Sequence, residues 1–328
     1  MKKTLQNLHD HHILERDEAK KILTNISKGD YNASQIASFL TIFLMRKITI
    51  DELAGFRDAL IELCISVDLE EFDPIDLCGT GGDEKNTFNI STLASFITAG
   101  AGIKVAKHGN YGVSSMSGSS NVMEELGYSF TNNQDKIKRQ IEEANICFLH
   151  APLFHPAMKI VAPIRKQLGV KTFFNMLGPM VNPAQPNKQV IGVFSLELVR
   201  LYKYLYEQGT KKFAILHSLD GYDEISLTSD FRMVTNEEDS LKSPKELNFK
   251  TLEQKDLFGG NSVTESAQIF TTILMGEGTE AQNNVVIANA AVAIKTAIDV
   301  SMQEALNMAT ESLSSKKAFQ SLKKLIAL

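Results

Sequence analysis

Apolar residues in the first 70 or so positions recur three and four apart, the spacing of a helix face. From Ile50 onward, Leu53, Phe56, Leu60 and Leu63 mark one such face, and Thr49 with Glu52 forms a capping box in front of it. Asn32 or Ser34 caps a second run, residues 36–45, whose apolar side chains surround more than half of the helix. Such a helix is expected to be buried, in a bundle or against another subunit. Residues 66–74 change in character and read as a linker. Beyond them short apolar runs at 75–78, 103–106, 146–149, 190–194 and 213–216 alternate with segments of helical periodicity at 90–99, 137–144 and 196–206. Near-continuous apolar strands separated by helices predict a mostly parallel sheet covered on both faces. Ligands of such sheets bind beyond the carboxyl ends of the strands, which directs attention to the loops that follow them. From about residue 263 the chain returns to helix, with an Ala-rich run at 285–297, and there is no internal repeat or low-complexity segment.

Composition narrows the function classes. A chain of 328 residues suffices for one large or two smaller domains. Its formal net charge of -5 argues against a protein that wraps duplex nucleic acid, because backbone binding runs on surplus Lys and Arg. The first residues carry charge throughout, so neither a secretory signal nor a membrane span is expected, and the cytoplasm is the default setting. Cys64, Cys78 and Cys147 lie far apart without a CxxC pair, which suggests neither disulfides nor a zinc site; all three read as buried small apolar residues.

Three loops carry candidate chemistry. The first strand runs into Gly79-Thr-Gly-Gly-Asp83, followed by Thr87, Asn89, Ile90, Ser91, Thr92 and a helix. Three glycines in four residues let the backbone approach a ligand, and the helix start offers unpaired N–H groups to an anion. A tight strand-to-helix turn with Asn89 as its cap explains the glycines equally well, but the density of hydroxyls and amides favours phosphate. Neither a P-loop lysine nor GxGxxG spacing is present. The second loop holds Lys107, His108, Gly109, Asn110, Tyr111, Gly112, Val113, Ser114, Ser115, Met116, Ser117, Gly118 and Ser119, and opens onto a helix at 121–126. A cation, serines and glycines between a buried strand and a helix suit an anion cradle better than a linker. His108 alone is more often a satisfied structural residue than a base. The third loop, after the strand at 213–216, carries the adjacent acids Asp223 and Glu224. Paired carboxylates there can hold Mg²⁺ through a few oxygens while water and substrate phosphates complete the shell; the plain alternative is a solvated turn. Arg165 lies beside the apolar stripe of a helical segment at 156–169, placed either on the surface or to receive a carboxylate bidentately.

Taken together, these residues resemble the anthranilate phosphoribosyltransferases. Gly79-Thr-Gly-Gly-Asp83, Asn89-Ile-Ser-Thr92, Lys107-His-Gly-Asn110 with Ser114 and Ser115, Ser117-Gly-Ser119, Phe174-Asn-Met-Leu-Gly-Pro179 with Asn182 and Pro183, and Asp223-Glu224 follow in order over nearly the whole chain. The resemblance implies a helical domain over residues 1–70, with part of about 155–185 packed on it, and a larger α/β domain over 71–328. This is the nucleoside phosphorylase/phosphoribosyltransferase-like fold, with its active site in the cleft at the hinge. It further implies transfer of the phosphoribosyl group of phosphoribosyl pyrophosphate (PRPP) to the amine of anthranilate in tryptophan biosynthesis, with magnesium, two ions being expected. By residue, it assigns PRPP to Gly79, Gly82, Asp83, Thr87, Asn89 to Thr92, Lys107 to Ser115 and Ser119. Anthranilate falls to Gly79, Asn110 and Arg165, and magnesium to Ser91, Asp223 and Glu224. His108 and His155 line the anthranilate path. No residue is given the role of general base. A homodimer through the helical domain is implied; neither nucleic acid nor a membrane is. Two positions depart from the pattern, Tyr111 where many members carry Arg and Met116 where they carry Lys. The rival readings are a pyrimidine nucleoside phosphorylase and a non-catalytic nucleic-acid-binding relative of the same fold.

Overall fold

The computed structural model describes residues 1–112 and 117–328. The chain forms two compact units, one made of Met1–Ser66 and Ala151–Pro183, the other of Val67–His150 and Ala184–Leu328.

The first unit is helical. Asn32 caps the helix Ala33–Met45, its side chain accepting from Gln35 N, and the Thr49–Glu52 box opens the helix Ile50–Leu63. A Cβ on Gly55 would sit 2.2 Å from the Arg16 carbonyl oxygen, so glycine there lets the helices Arg16–Ser27 and Ile50–Leu63 touch backbone to backbone. Phe39, Phe43, Phe56 and Phe173 form an aromatic core, with Phe56 stacked on Phe173 at 4.3 Å between centroids. Glu52 is fully buried within this unit and is held by Arg46 and by the backbone N–H groups of Leu14 and Thr49. Burial of the helix Ala33–Met45 is incomplete. Ile36, Phe39, Leu40, Ile42 and Phe43 are covered, but Leu44 is 46% and Met45 89% exposed.

The second unit is a seven-stranded sheet in the order β3-β2-β1-β4-β5-β6-β7. Strands β1 (Ile75–Gly79), β2 (Val105–Gly109), β3 (Ile146–His150), β4 (Lys188–Gly192) and β5 (Lys212–Ser218) pair in parallel, and β6 (Phe231–Thr235) and β7 (Asp239–Lys242) add an antiparallel edge. The buried helix Ile90–Gly100 follows β1, and Leu196–Glu207 follows β4. Because β1 leads outward to β2 while its other neighbour β4 leads outward to β5, the strand order reverses between β1 and β4, and a crevice opens at their carboxyl ends. The helix Glu280–Ala297 is buried on all sides from Val285 to Ile294, which is why its sequence is Ala- and Val-rich without an amphipathic period. Among the described residues no helix is long and apolar enough to cross a membrane. Cys147 is buried as expected, but Cys64 and Cys78 are only partly so: Cys64 caps the end of the helix Ile50–Leu63, and Cys78, inside β1, borders the small cleft at the carboxyl end of the strand.

Candidate active site

Paired in register at the reversal, Gly79 and Gly192 end β1 and β4. A Cβ on Gly192 would lie 1.5 Å from the Asp223 carbonyl oxygen, and one on Gly79 would lie 2.5 Å from Asp223 Oδ2. Glycine at both ends therefore admits the acidic loop that follows β5. That loop is pinned from several sides. Ser218 Oγ donates to the Glu224 carbonyl at 2.6 Å and accepts from Ser226 N at 3.2 Å. Asn289, on the buried helix, accepts from Ile225 N at 3.1 Å and donates to Ile225 O at 2.8 Å.

The carboxylates then meet the first glycine turn directly. Gly81 and Gly82 adopt positive φ, and Gly81 N donates to Asp223 Oδ2 at 2.7 Å. Ser91 N, in the first turn of the helix Ile90–Gly100, donates to Glu224 Oε1 at 2.8 Å. The carboxyl groups of Asp83 and Asp223 are close enough to perturb each other. Burial first, then repulsion from Asp83, pushes Asp223 up to about 7. Glu224 is also raised well above the usual carboxylate range, by burial and then by the charges of Asp223 and Asp83, although the Ser91 amide and Lys107 pull the other way. Asp83 is raised by burial, which outweighs the Lys85 amide. Three carboxylates thus crowd one place with too little positive charge to offset them. Magnesium is held by one or two carboxylates together with substrate phosphate and water, and Asp223, Glu224 and the Ser91 hydroxyl form an all-oxygen donor set of this kind. Among the described residues no group of three or more His, Cys, Asp and Glu is arranged as a ready-made metal cage.

The second loop joins the same place. Asn89 Nδ2, beside the first turn, donates to Ser117 O at 3.0 Å, and Ser120 N donates to Asn110 O at 3.1 Å. All three loops singled out in the sequence therefore meet within one unit. Individual side chains differ in what they offer. Lys107 is buried at 2% exposure, and its Nζ donates to Leu77 O at 2.6 Å, fastening β2 to β1 beneath the turn. Ile90 and Thr92 are buried, so the Ile90 side chain belongs to the core and only its backbone can face a ligand. His108 is buried as well, and its backbone N–H donates to Asp76 Oδ1 at 3.1 Å. Asn110 Oδ1 accepts from Tyr111 N at 2.8 Å. The hydroxyls of Thr80 and Ser117 are buried without a partner among the described residues, which leaves two donors available to an anion. Val113, Ser114, Ser115 and Met116 lie outside the described residues.

Arg165 belongs to the helical unit. On the helix Met158–Leu168, its guanidinium donates to Asn175 Oδ1 at 3.0 Å and lies 5.3 Å from the Phe174 ring centroid. Its Nε has no partner, no carboxylate among the described residues pairs with it, and burial holds it below the usual arginine value. A half-buried guanidinium bonded only to a neutral amide keeps donors with which it could receive an anion. In the same unit, burial pushes His155 down to about 4, so its imidazole is neutral.

Comparison with known proteins decides the family. Residues 71–319 match the glycosyl transferase family a/b domain, and residues 2–64 match the helical bundle domain of that family. The anthranilate phosphoribosyltransferase of Flavobacterium psychrophilum is 61% identical over 325 residues, 99% of this chain and 98% of the relative. The chain belongs to the anthranilate phosphoribosyltransferase family. The crystal structure of that enzyme from Thermus thermophilus superposes with a TM-score of 0.91 at 32% identity, covering 98% of both chains. The Saccharomyces cerevisiae enzyme in complex with PRPP and Mg superposes with a TM-score of 0.88 at 28% identity, covering 96% of this chain and 93% of the other.

The sequence reading passed over Gly192 and Asn289. Gly192 stands inside the apolar run 190–194, and only the register with Gly79 gives it meaning. Asn289 did leave a signal, the single amide inside the Ala- and Val-rich run 285–297, where an unpartnered polar group would be costly.

Proposed function

We propose that the protein transfers the phosphoribosyl group of PRPP to the amine of anthranilate, releasing pyrophosphate, as a step of tryptophan biosynthesis. The observation that carries this reading is the meeting of Asp83, Asp223 and Glu224 with the Gly79 turn and the first turn of the helix Ile90–Gly100. Donors suited to phosphate and acids suited to a divalent cation share one crevice there.

In this reading Asp223, Glu224 and Ser91 hold magnesium, two ions being proposed. The yeast relative's complex with PRPP and Mg supports magnesium use. When bound, the metal neutralises the departing pyrophosphate. The chain's own residues supply position and field. Gly79, Gly82, Asp83, Thr87 and residues 89–92 take one side of PRPP, and residues 107–115 with Ser119 take the other. Backbone amides suit this task because they stabilise anionic oxygens without carrying a counter-charge of their own. C1 of the ribose then loses its bond to pyrophosphate oxygen and gains one to the anthranilate nitrogen, whose proton leaves to solvent. The aromatic amine is neutral at pH 7, so it needs orientation more than deprotonation. We assign that orientation to Arg165, which receives the anthranilate carboxylate, and to Asn110 and Gly79. Nothing in the loops requires a general base, and none is assigned.

Pairing of two copies through the helical unit, where Leu44 and Met45 stand exposed, and a cytoplasmic setting belong to the same proposal. The relatives named above carry the transferase name, which disfavours the phosphorylase and nucleic-acid readings. The test is loss of anthranilate fluorescence on adding PRPP, with and without magnesium. Turnover that requires both PRPP and the metal supports the reading; phosphorolysis of thymidine or uridine in place of anthranilate consumption overturns it.

A further inference from the structure

The stretch between the glycine turn and the helix Ile90–Gly100 is held by a segment far along the chain. Thr87 and Phe258 form an antiparallel bridge, in which Phe88 N donates to Leu257 O at 3.2 Å and Gly259 N donates to Asn86 O at 2.9 Å. Asn86 Nδ2 adds a third bond, to Gly260 O at 2.9 Å. The two backbones lie so close only because residue 259 has no side chain: a Cβ there would sit 2.3 Å from the Thr87 carbonyl oxygen and 2.7 Å from Phe88 N. The segment is anchored in turn. The buried Ser266 hydroxyl, on the helix Val263–Leu274, donates to Gly259 O at 2.6 Å, and Phe270 of that helix meets Phe96 of the helix Ile90–Gly100 edge-on with centroids 5.9 Å apart. The same stretch also touches the acidic loop, since the Lys85 ammonium lies 4.7 Å from the centroid of the Tyr222 ring, next to Asp223.

We propose that residues 258–260 are a strap that positions Thr87 for PRPP, with Asn86 and Gly259 as its positioning residues. The inference rests on the functional reading above, which places Thr87 at PRPP, and it adds two residues that neither the motifs nor the proposed contacts include. Its energetic logic separates it from a structural role. Asn86 is exposed and Phe258 is 44% exposed, so water can replace the bond from Asn86 to Gly260 O once it is removed. Stability then changes little. What is lost is the fixed place of the backbone at 86–88, and restoring it falls on the step that binds PRPP. Gly259→Ala acts more strongly, because the atoms that oppose the new methyl belong to backbone and cannot rotate away. The two segments must part by about 1 Å to regain ordinary contact, and a misplacement of that size costs up to ~100-fold. Gly79, Asn110 and Arg165, assigned to anthranilate, lie outside the bridged stretch, so binding of the amine should be spared.

The experiment compares wild type, Asn86→Ala, Asn86→Asp and Gly259→Ala by calorimetric binding of PRPP in the presence of magnesium, by the anthranilate KM from fluorescence, by melting temperature, and by amide exchange at Phe88 and Gly259. Asn86→Ala is expected to weaken PRPP by about threefold and to melt within about 2 °C of wild type. Asn86→Asp sets an acceptor against Gly260 O and should weaken PRPP by roughly tenfold; Gly259→Ala should weaken it by at least about tenfold. In all three the anthranilate KM should stay within about twofold of wild type, and exchange at Phe88 and Gly259 should be faster. Unchanged PRPP affinity in the Asn86 variants, equal losses for both substrates, or an Asp variant no worse than the Ala variant would overturn the inference, and the Asn86 pair decides it should Gly259→Ala fail to fold. If wild type binds PRPP but leaves anthranilate unconsumed, the functional reading fails while the PRPP affinities still decide the strap; if wild type does not bind PRPP, both fall.

Discussion

Asn289→Ala offers the sharpest test of how the acidic loop is built. Ile225 is fully buried, and both its N–H and its C=O are bonded to this one side chain, at 3.1 and 2.8 Å. Asn289 also donates to Val285 O, one turn back along its own helix. Removing the amide leaves two buried backbone groups without partners, each costing about 1–3 kcal/mol. Alanine recovers roughly 0.6 kcal/mol of helix propensity. Asn289 also borders the small cleft lined by Gly79, Ser91, Asp223 and Glu224, so water can enter and relieve part of the loss. The balance is about 2 kcal/mol, or a fall in melting temperature of roughly 4–8 °C for a unit of this size. Because Ile225 directly follows Glu224, the acidic pair loses its support as well, and such supporting contacts tune metal affinity about 10- to 100-fold. The magnesium concentration for half-maximal turnover, read from anthranilate fluorescence at fixed PRPP, should therefore rise by at least about tenfold. A variant that melts within about 1 °C of wild type and keeps its magnesium dependence would refute the claim that Asn289 orients the loop.

Three further outcomes follow from the geometry. Replacing Asp223 and Glu224 together with Ala should abolish magnesium-dependent turnover while the protein stays folded, because carboxylates crowded without a cation do not hold the fold together; wild-type rates would remove the metal assignment. Arg165→Ala should raise the anthranilate KM far more than the PRPP KM, and equal effects on both would argue against a carboxylate receiver. Arg46→Met should destabilise the helical unit by about 2–3 kcal/mol, since Glu52 would stay buried with only backbone donors. Burial pushes Glu52 up, but Arg46 and the amides of Thr49 and Leu14 outweigh it, so its carboxyl sits below the usual glutamate value of 4.5. Its stabilisation is complete above 4.5 and is lost as the pH falls through the depressed folded value. Acid denaturation followed by circular dichroism should accordingly show wild type and Arg46→Met converging at low pH.

Long-range geometry, more than element type, marks the limit of what the residues disclose. The five parallel strands were legible because each is largely buried and carries a short apolar run, although Asp76, Lys107 and Gln189 interrupt the apolar pattern inside them. Strands β6 and β7 were not, because an antiparallel edge alternates: β7 has no buried residue at all, and its sequence, Asp239–Lys242, looks like a turn. The glycine turn, the cation-bearing loop and the acidic pair stood out by density of residue type, and the structure does bring them together. What each side chain faces was not legible. The Lys107 ammonium donates to Leu77 O, a partner that the composition of its loop does not disclose. Gly192 and Asn289 act through partners 31 and 64 positions away, a relation that no local pattern encodes. Exposure at the end of the helix Ala33–Met45 likewise depends on what neighbours it in space.

Charge around the anion loop ties these observations together. Where many members of the family carry arginine, Tyr111 places a neutral phenol, and Glu124 raises its ionisation further above the ordinary tyrosine range. Met116, at the other departure, lies outside the described residues. Lys107 lends its charge to Glu224 through space while its ammonium is hydrogen-bonded beneath the turn. The crevice therefore confronts a polyanionic sugar with three carboxylates, and backbone amides alone do not cancel that repulsion at close range. A divalent cation held by Asp223 and Glu224, as proposed, would change the sign of the interaction for both partners at once, satisfying the acids and offsetting the phosphates. By linkage, magnesium must then tighten PRPP by the same factor as PRPP tightens magnesium. In a chain lacking cations at 111 and 116 that factor should exceed the one measured after Tyr111→Arg. Titration calorimetry of PRPP at several magnesium concentrations would read both factors, and equal coupling in the two proteins would show that the missing cations are not what makes this site depend on the metal.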